Sequence, residues 1–345
     1  VNAGNSIASG GNYNVVVGDE AGTAITTGDE NTFVGYATGD AVTTASANTG
    51  VGYNALSQNT SGTQNSAFGN RAGDAITTGD GNTAIGYFSL SSTTTADNNT
   101  AVGVDSLGIN STGADNTGIG KDALRANTTA SNNTAVGSSA LVANTTGSSN
   151  VAVGSAAGDA ITTGNTNVAI GTNAMTTNTV GDRNVAVGHA ALALYIPSSN
   201  EDSYNVAVGY NALYTDTTGK NNTAVGGNAL LLNTTGNSNA AFGTGALDAN
   251  TTGGSNASVG KSSLSANTTG SANAALGADA LASNTTASNN TAVGTNSLNA
   301  NTTGSENVAV GRNALDANTT AANNTAVGYA SMGANTTGAG NTALG

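Results

Sequence analysis

Few residues of this 345-residue chain have side chains that could catalyse a reaction or bind a metal ion. His189 is the only histidine, cysteine is absent, and the seven lysines and arginines are scattered. Acid–base catalysis and metal binding both need further polar partners nearby, and no such pattern surrounds His189. We therefore predict no catalytic residue, no metal site and no cofactor, and we expect the chain not to be an enzyme.

Acidic and amide side chains are the remaining candidates for ligand chemistry. Asp40, Asp74 and Asp159 recur at one position, but their spacing is not that of calcium-binding repeats. Incidental calcium binding is kept as an alternative. The triplet Asn-Thr-Thr, which begins for example at Asn127 and Asn267, is formally an N-glycosylation acceptor. For most copies a stacked polar turn is the favoured interpretation.

The composition excludes several classes of function. The formal net charge is −13 and only 8% of the residues are charged, so too few cations are present to neutralise phosphates or to bind an anionic membrane. We therefore expect no nucleic-acid binding. No apolar run reaches the length of a membrane-spanning helix, which predicts no membrane insertion. A single proline and low charge favour a repeat fold over disorder.

The dominant signal is a five-residue unit, Asn-x-Ala-Val-Gly and its variants, which occurs twenty times. Eighteen of the nineteen spacings between its glycines are 17 residues, and the exception, Gly188 to Gly209, is 21. Positions are numbered here by their offset from that glycine. Asparagine occupies offset −4 in every copy: Asn14, Asn31, Asn48, Asn65, Asn82, Asn99, Asn116, Asn133, Asn150, Asn167, Asn184, Asn205, Asn222, Asn239, Asn256, Asn273, Asn290, Asn307, Asn324 and Asn341.

The residues before the glycine predict a short strand. Offset −1 is always Val, Ile, Phe or Leu, and offset −2 is mostly Ala. We predict that offsets −1 and −3 point inward and that the small residues at −2 point outward. A second apolar position, usually Leu, follows at +4. Where +4 is glycine, as at Gly73 and Gly158, offset +7 becomes Ile76 and Ile161, which indicates a shared core of constant volume.

A 17-residue coil is too small to fold alone, so the coils must stack. The expected fold is an all-β parallel β-solenoid of about twenty 17-residue coils, forming a single domain over residues 1–345. The recurrent glycine fits a corner that needs a positive φ or a close backbone approach. The recurrent asparagine fits a structural ladder, in which each amide binds its equivalents in the neighbouring coils.

Runs such as 150–154 (NVAVG) and 167–171 (NVAIG) resemble the head repeats of YadA-like trimeric autotransporter adhesins. Arrays of the Asn-Thr-Ala-Val-Gly…Ala-Leu type are also similar to those of phage tail fibres. The resemblance implies a left-handed β-roll that trimerises and binds host surfaces. It also implies that the small column, for example Ala135, Ala152, Ala169 and Ala186, lines the contact between chains.

The four-residue insertion within 189–204 is the one irregular part of the array. Insertions in solenoids often carry contacts, so a contact loop is expected at Tyr195, Pro197, Glu201, Asp202 and Tyr204. Residues 1–7 continue the repeat almost in phase with Gly345. Either the chain is a piece of a longer array, as Val1 in place of Met indicates, or copies stack head to tail.

We therefore expect an extracellular, cell-surface or virion structural fibre whose main partner is itself, as a filament or a trimer. The first alternative is an adhesin or tail-fibre shaft that binds a surface receptor or glycan. The second is an ice-binding solenoid, because threonine columns recur in the coils. Against that alternative, adjacent threonines at +8 and +9 should point in opposite directions, which leaves one outward column.

Overall fold

A computed structural model describes residues 2–345 and shows two compact units, Val1–Ala169 and Ile170–Gly345. Val1 itself lies outside the described residues. Gly4 has a φ of 58° and donates its N–H to the Ala21 carbonyl, as Gly22, at offset +4, does to Thr38. This places Gly4 at offset +4 of the first coil, as predicted. The expectation of a single domain over 1–345 stays a prediction.

Each coil contributes one three-residue strand that ends just before the recurrent glycine. The strands of the first unit are β1 (Val15–Val17), β2 (Thr32–Val34), β3 (Thr49–Val51), β4 (Ser66–Phe68), β5 (Thr83–Ile85), β6 (Thr100–Val102), β7 (Thr117–Ile119), β8 (Thr134–Val136) and β9 (Val151–Val153). Strand β10 (Val168–Ile170) includes residues of both units. The strands of the second unit are β11 (Val185–Val187), β12 (Val206–Val208), β13 (Thr223–Val225), β14 (Ala240–Phe242), β15 (Ala257–Val259), β16 (Ala274–Leu276), β17 (Thr291–Val293), β18 (Val308–Val310), β19 (Thr325–Val327) and β20 (Thr342–Leu344).

Within each unit, consecutive strands pair in parallel and in register. In the first unit Ala84 lies opposite Ala101, and in the second Ala207 lies opposite Ala224, so equivalent residues of neighbouring coils stack directly. The predicted fold class, an all-β parallel β-solenoid with 17-residue coils, is confirmed. Residues 2–345 form no helix, and hence none that is long and apolar enough to cross a membrane.

The predicted orientation of the strand residues is wrong. The small residues at −2 point into the core, and Ala135 and Ala152 are fully buried, whereas Ile85 and Val153 at −1 are 40% and 37% exposed. The reason is that the interior is narrow. A Cβ added to Gly118, at −2, would lie 2.6 Å from the Ser106 Oγ, so little more than an alanine fits at −2 in coils with leucine at +4. The larger Phe33 is buried at −2 only where the facing residues at +4 are Gly22 and Gly39.

This orientation also corrects the expected contact between chains. Ala135, Ala152, Ala169 and Ala186 are at most 1% exposed. Because they pack inside their own coils, the alanine column cannot line a contact with another chain. The side chains that the sheet presents outward are those at −3 and −1.

The expected constancy of the core volume is confirmed. Leu124 and Leu141 at +4 are fully buried, and so are Ile76 and Ile161 at +7 in the coils that have glycine at +4. A Cβ added to Gly158 would lie 3.0 Å from the Ile161 Cδ1. Leucine at +4 and isoleucine at +7 therefore fill the same space, and a 17-residue coil has room for only one of them.

The glycine at offset 0 forms a corner where neighbouring coils approach closely. Gly120 has a φ of 134°, and a Cβ added there would lie 2.4 Å from the Gly137 carbonyl oxygen. Both reasons predicted for this glycine, the positive φ and the close backbone approach, are therefore present at the same position.

Candidate functional site

The asparagines at offset −4 form a buried ladder. All of those from Asn31 to Asn324 are at most 1% exposed. In a typical step the Asn48 amide nitrogen donates to the Gly62 carbonyl at 2.9 Å, and the Asn65 backbone N–H donates to the Asn48 Oδ1 at 2.9 Å. The amides thus satisfy main-chain groups of the corner more than they bind one another, although some pairs, such as Asn31 to Asn14 at 3.1 Å, do so.

A second asparagine ladder runs along offset +7. The Asn127 amide nitrogen donates to the Asn110 Oδ1 at 2.8 Å and to the Ala130 carbonyl at 2.9 Å. Asn127 and Asn267, which begin Asn-Thr-Thr triplets, are fully buried in this ladder. The asparagine that begins each Asn-Thr-Thr triplet recurs at +7 in the sequence, but its burial was not predicted. The signal for this burial was that isoleucine replaces asparagine at +7 in some coils. Because that isoleucine fills the core, every side chain at +7 should point inward.

The second ladder is interrupted beside the insertion, where Tyr195 and Asp216 occupy offset +7. Both are fully buried, and the Asp216 Oδ1 accepts hydrogen bonds from the Gly219 N–H at 2.9 Å and the Asn233 amide at 3.2 Å. The Asp216 Oδ2 has no partner. Because burial disfavours the charged form, it raises the pKa of the Asp216 carboxyl to about 7 and that of the Tyr195 hydroxyl to about 12.

The insertion is held by charged side chains of the coils on either side. Asp202 forms an ion pair with Arg183, and the Tyr204 hydroxyl donates to the Asp202 Oδ2 at 2.9 Å. On the other side the Lys220 Nζ lies 2.7 Å from the Glu201 Oε2. These contacts fix the segment against the array.

The structure divides the predicted contact loop into two parts. Tyr195 and Pro197 are buried, so they cannot form an outward contact, and this part of the prediction is corrected. The physical reason is that Tyr195 fills the interior at the position that Asn or Ile occupies in other coils. Tyr204 is 50% exposed and Asp202 is exposed as well, while Glu201 is half-buried.

The outer face of the sheet carries a row of half-exposed apolar side chains, which sequence analysis placed inside. In the first unit these side chains include Phe68 (42% exposed), Ile85 (40%), Ile119 (39%) and Val153 (37%). No charged residue occurs at −1 or −3 in any of the twenty copies. Such a continuous uncharged apolar row is typical of an interaction surface.

Threonine hydroxyls have two different environments in the coils. At +8 they bind the next coil, as when the Thr128 Oγ1 donates to the Thr145 carbonyl at 3.0 Å. At −3 the side chains of Thr83, Thr100 and Thr117 lie on the outer face, beside the apolar row. From β2 to β8 the outer face therefore presents a row of hydroxyls at −3 beside a row of apolar side chains at −1, and the members of each row are one coil apart.

The remaining candidate ligands are dispersed. His189 is exposed and stacks on Tyr210, with ring centroids 5.4 Å apart. Burial raises the pKa of the carboxyls of Asp40, Asp74 and Asp159. For Asp74 the rise is partly offset by the Arg71 guanidinium, whose Nε lies 2.9 Å from the Asp74 Oδ2. Within residues 2–345, no three His, Cys, Asp or Glu side chains are grouped as a metal site would require.

A scan against protein-family models finds no match to the chain, and a search of curated proteins finds none either.

Proposed function

We propose that this protein is a non-catalytic structural protein of an extracellular or surface fibre, and that copies of it associate laterally through the outer face of the sheet. The observation that carries the proposal is the uncharged row of half-exposed branched side chains at −1. Removing such a row from water is favourable in proportion to its apolar area. In an isolated chain this apolar area stays exposed to water.

A second copy of the chain is the partner that fits this row best. Its own row repeats with the same coil spacing of about 4.8 Å, so side chains of one copy can lie between those of the other along the whole face. A partner without this period would match the row at only a few points. Because no charged residue occurs at −1 or −3, bringing two faces together buries no unpaired charge.

Lysines placed on this face should prevent the association. In the triple variant Ile85→Lys, Ile119→Lys and Val153→Lys, burial of the row would require burial of three unpaired charges, which is strongly unfavourable. We expect the unmodified protein to have a mass of two or more 32.9 kDa chains and the variant to be a monomer. Light scattering coupled to size-exclusion chromatography measures both masses.

The matched control places the same charges on the same coils, away from the sheet. Thr78→Lys, Thr112→Lys and Thr146→Lys change exposed residues at +9 and should leave the oligomer intact. If the unmodified protein stays a monomer at high concentration, or if both triple variants dissociate equally, lateral association through this face is wrong.

Ice binding is a second candidate for the same face, favoured by the outward hydroxyls at −3 beside the methyl groups at −1. An ice-binding surface must be free in solution, so this function and lateral association exclude each other. If the face binds ice, the monomer shows thermal hysteresis, and the three lysines at −1 abolish it while those at +9 do not. Absence of hysteresis from the unmodified monomer rejects this candidate.

A further inference from the structure

A cleft lies against the coil that begins at Gly188, beside the insertion. Its volume is about 440 Å³, and its lining includes His189, Tyr210, Tyr214, Asn173 and Asn211. Its residues occupy offsets +1, +2, +5 and +6 of three successive coils in the second unit. The cleft is therefore separate from the outer face of the sheet, which is formed by offsets −3 and −1.

The cleft exists because the middle coil lacks side chains that its neighbours have. Only this coil has alanine at both +2 and +5, namely Ala190 and Ala193, and these form the floor. At +2 the alanine lies between Asn173 in the coil before and Asn211 in the coil after. At two coil spacings of about 4.8 Å, the backbones of Asn173 and Asn211 lie about 10 Å apart, one on each side of the floor.

Aromatic rings also line the cleft. The rings of His189 and Tyr210 are stacked with an interplanar angle of 15°, and Tyr210 is 58% exposed. Tyr214 and Thr176 also line the cleft, both at +5, in the coils on either side of Ala193. Thr176 already donates its hydroxyl hydrogen to the Ala193 carbonyl at 3.1 Å, so its oxygen remains as an acceptor.

We propose that this cleft, the His189 cleft, binds a neutral saccharide. A sugar ring has a C–H face that packs on aromatic rings and a rim of hydroxyls that pair with amides, which can both donate and accept hydrogen bonds. The lining supplies both kinds of group and contains no Lys, Arg, Asp or Glu. An anionic or cationic ligand would find no counter-charge there. The floor of two alanine methyl groups leaves room for one ring between the amides.

Stacked rings alone do not make this site, as the first unit shows. Tyr36 and Tyr53 occupy the same offset +1 and stack at 5.4 Å with an interplanar angle of 12°. That pair is flanked at +5 by Asp40 and Ser57, so no third ring faces it. The chain thus contains a natural control that has the stacked pair without the remainder of the cleft.

The test uses the only histidine of the chain as a reporter. Protein labelled selectively at the Cε1 of histidine gives a single imidazole signal in NMR, from a ring that lines the cleft. We expect titration with millimolar neutral mono- and disaccharides, chosen as a panel of hexoses and N-acetylhexosamines, to shift this signal saturably for at least one of them. Glucuronic acid should bind less tightly than glucose does.

Two variants define the site while keeping His189. Tyr214→Ala should weaken saccharide binding by about ten-fold or more, as expected for the loss of a central aromatic anchor. Ala193→Leu should fill the floor and abolish binding; the fold tolerates this size at +5, where other coils have Val142 and Leu231. The matched controls, Tyr53→Ala and Ala282→Leu, should bind as the unmodified protein does.

Two results would overturn the proposal. The first is a histidine signal that no saccharide of the panel shifts in the correctly folded protein. The second is a shift that persists unchanged in Tyr214→Ala and Ala193→Leu, which would place the ligand elsewhere. Neither result bears on lateral association, because the cleft and the outer face share no residue.

Discussion

Gly120→Ala is expected to destabilise the first unit by about 4 kcal/mol or more, the range of the most damaging single substitutions. The added Cβ would lie 2.4 Å from the Gly137 carbonyl oxygen and 2.6 Å from its carbonyl carbon. Both are backbone atoms, so no side chain can move aside. The φ of 134° adds strain, because residues with a Cβ rarely adopt that region. Chemical denaturation followed by circular dichroism measures the loss.

Gly227→Ala provides the control for this prediction. No atom lies within 4 Å of a Cβ added at Gly227, and its φ is not in the left-handed region. Its free energy of unfolding should change by no more than about 0.5 kcal/mol. Equal stability of Gly120→Ala and Gly227→Ala would show that the coils can separate at the corner, which would contradict the close stacking described above.

Asp216→Asn is expected to stabilise the protein, and to do so only where the carboxyl would be charged. In other coils the atom equivalent to the Asp216 Oδ2 is an amide nitrogen that donates to a carbonyl three residues on, as Asn233 does to Gly236 at 3.0 Å. An ionised carboxylate has no hydrogen to donate, and its Oδ2 is buried without a partner. The amide restores the ladder.

The pH dependence follows from the direction of the pKa shift. The folded state raises the pKa of Asp216 from 3.8 to about 7, so it holds the proton more tightly than the unfolded chain does. The contribution of this group to stability is therefore greatest below about pH 4, falls as the pH rises to about 7, and is constant above that. The full loss corresponds to about 4 kcal/mol.

The free energy of unfolding of Asp216→Asn should thus exceed that of the unmodified protein by about 2–4 kcal/mol at about pH 8, and match it at about pH 4. The reverse substitution, Asn250→Asp in the same ladder, should destabilise the protein at the higher pH. Urea denaturation of the three proteins at both pH values measures this. A stabilisation by Asp216→Asn that is equal at both pH values would contradict an origin in the buried charge.

The repeat period determined most of the fold from sequence. An asparagine at −4 and a glycine at 0 in every copy require equivalent environments, and only stacked coils provide them. The exchange of Leu at +4 for Ile at +7, as in the Gly73 and Gly158 coils, correctly indicated one shared interior. These inferences depended on comparing twenty copies, which here replace an alignment.

The orientation of the strand could not be derived in the same way. Strict alternation shows which residues share a face, but not which face is inside. We expected the larger side chains of −1 to be buried, as in most sheets. The width of the interior, which accepts Ala84 but not Ile85, depends on how the whole coil closes. The His189 cleft was missed for a related reason: it is formed by three coils together.

The coil with the insertion affects how reliably the coils stack in their sequence order. Neighbouring coils are so alike that a stack from which one 17-residue coil had looped out would keep almost every contact in the remaining coils. The coil with the insertion resists such a loss, because Arg183 meets Asp202, and Lys220 meets Glu201, only when that coil stays between its sequence neighbours. The insertion thus marks one fixed position in an otherwise uniform array. Deleting residues 198–201, which removes Glu201 and its ion pair with Lys220, should leave the stack intact but make this coil easier to loop out.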